Sequence, residues 1–272
     1  MIRSGRRRAF AVAFAIGIVA ATSSLEAQRT RGPRDSSMRP VAQSSIVPFY
    51  GAIDGAAVTV PAFSMDRHPV TNEEFLAFVR ANPRWRRSQI PRLFADTDYL
   101  AHWASDLSLG PDLRARQPVV RVSWFAARAY CASRDARLPT ELEWEVAARA
   151  DETRADAHRD PAFVEAILDW YSRPAQPLTD VEQRPANVFG LYDLHGLVWE
   201  WVEDFNASMV SADDRARDDA QAERVCGAAA FGASDPADYA TFMRFAFRSS
   251  LRASYSLQHL GFRCVHDQEP QP

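Results

Sequence analysis

The chain has 272 residues, 47% of them hydrophobic, which is enough for one substantial core or two small ones. Its formal charge is −3, and all 32 basic residues are Arg. A chain without Lys excludes Schiff-base and pyridoxal-phosphate mechanisms that need a lysine amine, and it excludes a P-loop.

In chain order, residues 1–27 open with Arg3, Arg6, Arg7 and Arg8, run through an apolar stretch from Ala9 to Ala21, and offer a cleavage site before Gln28. This is the layout of a secretory signal peptide, and the apolar run is short for a membrane span. The alternative is an uncleaved N-terminal anchor. Arg7-Arg8-Ala9-Phe10 is compatible with twin-arginine export, and the sequence does not separate that route from the general secretory one. The expected location is therefore secreted or periplasmic. Loss of four Arg and one Glu with the leader moves the formal charge from −3 to −6, which argues against a nucleic acid or an anionic membrane surface as partner. Residues 28–44, polar and rich in Arg, Ser and Pro, are expected to form a disordered linker, and residues 45–267 a single domain.

Within the domain, Val58 to Met65 alternates enough for an edge strand. Thr71-Asn-Glu-Glu74 has capping-box spacing ahead of Phe75, Phe78 and Val79. Ser123 caps a helix whose Trp124, Ala127 and Cys131 share a face, with Cys131 expected to stay buried as a free thiol. Thr140-Glu-Leu-Glu143 repeats the capping box and opens a helix through Arg149. After Arg149 the chain reads as polar and irregular, and Phe242–Arg248 and Gly261–Val265 read as closing strands. Short strands, long loops and no internal repeat imply an irregular α+β domain. The short motifs of metalloproteases, serine hydrolases, CxxC redox proteins and dinucleotide-binding folds are missing.

Five blocks carry more information than their spacing. They are Phe63–Asn72, Pro118–Trp124, Arg137–Arg149, Leu260-Gly-Phe-Arg-Cys264, and above all Asn187-Val-Phe-Gly-Leu-Tyr-Asp-Leu-His-Gly-Leu-Val-Trp-Glu-Trp201. In this order the blocks resemble the formylglycine-generating enzyme, or sulfatase-modifying factor, family. The resemblance implies an irregular fold similar to a C-type lectin domain across about residues 47–265. Trp124, Trp144, Trp199 and Trp201 read as core residues, and Arg137 and Glu143 as an internal ion pair or cap.

The resemblance also implies a calcium site in the signature, with Asp193 and Glu200 as side-chain ligands and Gly196 and Val198 as carbonyl ligands. The alternative is a calcium-free turn in which Asp193 caps backbone amides. A second calcium site of the family has no counterpart between Asp169 and Pro185.

Family enzymes oxidise a sulfatase cysteine through a C-x4-C pair that binds Cu(I), a soft ion suited to two thiolates. Aligned on Arg244-Phe-Ala-Phe-Arg-Ser249, those positions hold Asp235 and Ala240, so no copper is expected. The resemblance places Cys226 and Cys264 on neighbouring segments, and a Cys226–Cys264 disulfide is expected ahead of a metal at Cys226. What remains of the groove is Ser234, Asp235, Asp238, Tyr239, Ala240, Arg248 and Ser249, either a peptide-holding surface or a satisfied polar one. The resemblance thus suggests a catalytically degenerate accessory module for another exported protein or peptide, such as a redox enzyme undergoing maturation. The alternative is an oxidoreductase of the formylglycine-generating type, or an enzyme with altered chemistry in the same groove.

Overall fold

The computed structural model describes residues 37–49, 56–173, 176–206 and 236–268. All of them belong to one compact unit spanning Ser36–Pro272. The leader at 1–27 lies outside the described residues. No described helix is long and apolar enough to cross a membrane.

Seven short strands are found among the described residues: β1 Met38–Val41, β2 Ser44–Ile46, β3 Val58–Val60, β4 Phe63–Asp66, β5 Trp199–Glu200, β6 Leu260–Gly261 and β7 Val265–Asp267. β4 is the centre of an antiparallel sheet, with β1 on one side (Val41 opposite Phe63) and β7 on the other (Met65 opposite Val265). β2 and β3 form a separate antiparallel pair, and β5 pairs β6 in parallel. Phe63 and Met65 alternate inward from β4 into the core. The first two strands begin inside the stretch expected to be a linker. β1 is an edge strand that buries little beyond Val41 and tolerates Pro40, so its composition reads as linker while its backbone bonds to β4.

Among the described residues, five α-helices accompany these strands: α1 Asn72–Ala81, α2 Trp124–Ala132, α3 Glu141–Ala148, α4 Pro161–Ser172 and α5 Pro236–Ser249. Both capping boxes form as expected, with the Thr71 and Thr140 hydroxyls accepting from the amides of Glu74 and Glu143. Ser123 caps α2 in the same manner. The core is rich in aromatic contacts: Phe75 of α1 lies 5.8 Å from Tyr130 of α2 and 6.0 Å from Phe262, ring centre to ring centre.

Two helices depart from the sequence reading. α4 occupies a stretch expected to be irregular. Its start is signalled by Asp160, which accepts from the amides of Ala162 and Phe163, and by Pro161 at the first helical position. α5 occupies the expected closing strand Phe242–Arg248. The alternation of phenylalanines there imitates a strand, but the buried residues are Ala237, Ala240, Arg244 and Arg248, which is helical spacing. Its inward face is cationic rather than apolar, so hydrophobic periodicity could not find it.

Candidate functional site

The signature, residues 187–201, is organised by its first side chain. Asn187 Oδ1 accepts from the amides of Phe189 and Leu191, and its Nδ2 donates to the Ala147 carbonyl of α3. The chain then turns through left-handed backbone at Gly190, Asp193 and Gly196, with φ of 77°, 56° and 86°. The turn delivers β5 beside β6, where Trp199 and Trp201 donate backbone bonds to the carbonyls of His259 and Gly261. Trp144 and Trp201 are buried and Trp124 and Trp199 half-buried, as core residues should be.

Glu200 lies at the centre. Its carboxylate receives Arg263 Nε at 2.8 Å and Nη2 at 2.8 Å, and the Trp144 indole N–H at 2.8 Å. Both side chains of the Glu200–Arg263 pair are fully buried. The remaining Arg263 donors reach the carbonyls of Asp66 and Tyr192. Asp193 Oδ2 accepts from the Glu182 amide at 2.6 Å. Burial raises the Asp193 carboxyl, with the Glu182 amide and the charges of Arg263 and Arg184 opposing. Arg184 lies against Gly196 and donates to the His195 carbonyl at 2.9 Å.

This geometry bears on the two side chains expected to ligate calcium. Both oxygens of Glu200 are engaged by donors, Asp193 caps a backbone amide, and the Arg184 guanidinium packs where a side chain at Gly196 would lie. Two fixed guanidinium charges next to the expected ligands oppose a divalent cation. In this arrangement the carboxylates of Glu200 and Asp193 are engaged by internal bonds, as in the alternative of a turn held without an ion.

A second charged cluster lies where α5 covers α3. Arg244 donates to both oxygens of Glu145, at 2.7 and 2.6 Å, and to the Tyr171 hydroxyl at 3.1 Å. Arg248 donates to Glu141 at 2.9 Å, and its guanidinium lies 4.4 Å above the Trp144 ring. Burial pushes the Glu145 carboxyl up, but Arg244 and Arg248 outweigh it and hold the group at about 2. Arg248 and Ala240 are thus buried structural residues and do not line a polar groove, as the sequence had suggested. Ser249 donates to the Phe245 carbonyl. Asp238 and Tyr239 remain at the surface of α5, and Ser234 and Asp235 lie outside the described residues. Half-buried aromatics fill the neighbouring space: Trp199 stacks on Tyr171 at 5.0 Å and meets Phe247 at 4.4 Å. Arg137 and Glu143 form the expected internal pair, at 2.6 Å.

The cysteines pair differently from the expectation. Cys131 is bonded to Cys264, 133 positions along the sequence, with their Cα atoms 5.5 Å apart. Cys131 is therefore not a free thiol, and Cys264 is not available to Cys226, which lies outside the described residues. The apolar face of α2 that buries Cys131 presents it to the segment between β6 and β7. Among the described residues, no group of three or more His, Cys, Asp or Glu side chains is arranged to hold a metal.

The chain belongs to the sulfatase-modifying factor enzyme 1-like domain family, whose sequence profile matches residues 40–268. It is 31% identical over 148 residues to the serine/threonine-protein kinase Pkn1 of Chlamydia trachomatis, covering 54% of this chain and 24% of the kinase. It is 31% identical over 193 residues to the inactive C-alpha-formylglycine-generating enzyme 2 of Bos taurus, covering 53% of this chain and 60% of that one. With the formylglycine-generating enzyme of Mycobacterium tuberculosis the identity is 29%, covering 77% of this chain and 89% of the relative. The chain spans about a quarter of the length of the kinases it matches.

Two histidines next to these elements tie the fold to pH. His195 bonds through Nε2 to the Ala148 carbonyl, its ring edge-on to Trp144 and Phe163, and burial followed by the charge of Arg244 lowers it to about 3. His102, whose ring nitrogens are buried without partners, is lowered to about 4 by burial and then by Arg121 and Arg87. Both are neutral when folded, whereas an unfolded chain protonates near pH 6.5. Stability is therefore complete above about pH 6.5 and falls as the pH drops toward 4 and 3, each group contributing about 3–5 kcal/mol at full protonation. Urea midpoints at pH 7.5, 5.5 and 4.5 will fall in that order. His102→Phe and His195→Phe will each flatten the slope, and unchanged slopes in both would refute the assignment.

Proposed function

We propose that this protein is a non-catalytic member of its family, working in an oxidising compartment as a binding module for another exported protein or peptide. The observation that carries this reading is the cysteine inventory. The family's copper chemistry needs two thiolates, and the chain has three cysteines, of which Cys131 and Cys264 are joined to each other. Cys226 alone cannot supply a pair. The position aligned with the second family cysteine is Ala240, a buried residue on α5, and the one aligned with the first is Asp235.

The Cys131–Cys264 bond supports the location, because structural disulfides persist where thiols are not kept reduced. An inactive relative among the similar proteins is consistent with loss of chemistry on a retained scaffold. The test uses the purified full chain, loaded with Cu(I) under a competing thiol and offered a cysteine-containing peptide in oxygenated buffer. The expected result is no retained copper and no peptide oxidation. One copper per chain with oxygen-dependent turnover would overturn the proposal.

A further inference from the structure

We propose that residues 80–92, at the end of α1 and in the loop that follows it, form a docking surface for an acidic, partly apolar segment of a partner protein. The inference rests on the binding-module reading and names the chemistry of the partner. Five of these thirteen residues are Arg (Arg80, Arg84, Arg86, Arg87 and Arg92), and none is Asp or Glu. None of the five forms an ion pair with a carboxylate among the described residues. Arg86 donates to the carbonyls of Val79 and Arg80, both at 3.3 Å, and Arg87 donates to the Trp103 carbonyl at 2.7 Å. Arg84 lies 5.2 Å above the Trp85 ring.

Carbonyls and a ring face accept hydrogen bonds or attract a cation without cancelling a full charge, so this surface keeps a positive field on a chain of net charge −3. Two carboxylates of the adjoining loops, Asp106 and Asp96, accept from neutral donors and form no ion pair with these arginines among the described residues. Asp106 accepts from the Ser88 amide and hydroxyl, at 2.9 and 2.5 Å, and Asp96 from the amides of Asp98 and Ser256. Asp98 stands 3.8 Å from Arg121. The Asp106 carboxyl lies below its ordinary range through the Ser88 hydroxyl, with Arg87 and Arg86 adding to the effect, and this single carboxylate at the edge of the surface offsets only part of the charge of five arginines.

The surface is also rigid and partly apolar. Leu93, immediately after Arg92, is 75% exposed. The loop beneath is fixed by Phe94, whose ring lies 6.2 Å from Trp85 and 5.2 Å from Phe125, and by the Tyr99 hydroxyl donating to the Trp85 carbonyl at 2.9 Å. A preformed platform lowers the ordering cost of binding. The exposed Leu93 favours a protein segment over a nucleic acid.

The test titrates the full chain with a short fluorescein-labelled peptide of Glu and Leu, read by anisotropy at low and at high salt. Binding that weakens with salt is expected. The double variant Arg84→Glu/Arg92→Glu should weaken it about tenfold or more, and Leu93→Ser by several-fold, while Arg173→Glu at the end of α4 should leave it unchanged. Absence of binding, equal affinity in the double variant, or equal affinity for a single-stranded oligonucleotide of matching charge would overturn the inference. Cysteine-peptide oxidation is measured on the same samples. Lost binding without oxidation sinks the docking surface alone, whereas oxidation sinks the non-catalytic reading.

Discussion

Arg263→Met is expected to lower the free energy of unfolding by about 3–5 kcal/mol, because it leaves the Glu200 carboxylate buried without its cation. The pair is fully desolvated, and Arg263 also ties β4 and the signature together through the carbonyls of Asp66 and Tyr192. Arg263→Lys should recover only part of the loss, since an ammonium cannot present a planar fork to both carboxylate oxygens. The double variant Arg263→Met/Glu200→Met should be more stable than Arg263→Met alone, because it removes both charges. Urea denaturation measures all three. A loss below about 1 kcal/mol in Arg263→Met would show that the pair is not what holds the turn. Calcium or a chelator should leave the wild-type midpoint unchanged, and a calcium-dependent rise would show that the turn accepts an ion after all.

Replacing both Cys131 and Cys264 by Ala is expected to cost about 5 kcal/mol, near the upper end for a disulfide, because the bond closes a loop longer than a hundred residues. Both sulfurs are buried, so a reductant added to the folded protein should act at the rate of unfolding rather than directly. Thiol counting under denaturing conditions should give one free group before reduction and three after it, as long as Cys226 is unmodified. Peptide mapping that finds Cys226 joined to Cys264 would restore the pairing expected from sequence and remove this prediction.

Local chemistry was legible in the sequence. The two capping boxes and the Ser123 cap depend on side chains three residues from their targets, and all formed where the spacing placed them. The family signature identified the irregular α+β domain because its Asn, Gly and Trp residues serve the turn and the core. What stayed hidden depended on partners distant in the chain. Arg263 stood in view within the closing block, yet nothing local tied it to Glu200, 63 residues away. The disulfide was misassigned for the same reason, since burial of Cys131 on a helix face says nothing about what lies opposite. α5 was misread because its buried face consists of arginines neutralised by Glu141 and Glu145, which a hydrophobic pattern cannot reveal. α4 was readable, through Asp160-Pro161 and the apolar spacing after it, and was overlooked against the polar stretch before it.

The sheet in which β4 lies between β1 and β7 has a consequence for the order of events in biosynthesis. Residues 260–267 supply β6, β7, the Arg263 cation and the Cys264 sulfur. A chain still on the ribosome without them has Glu200 uncompensated, one edge of β4 unpaired and Cys131 unbridged. Its domain cannot close until residues 260–267 have been made. Until then the nascent domain stays open, a state that either waits for transport or is exposed to proteases and aggregation, and residues 260–267 act as the latch.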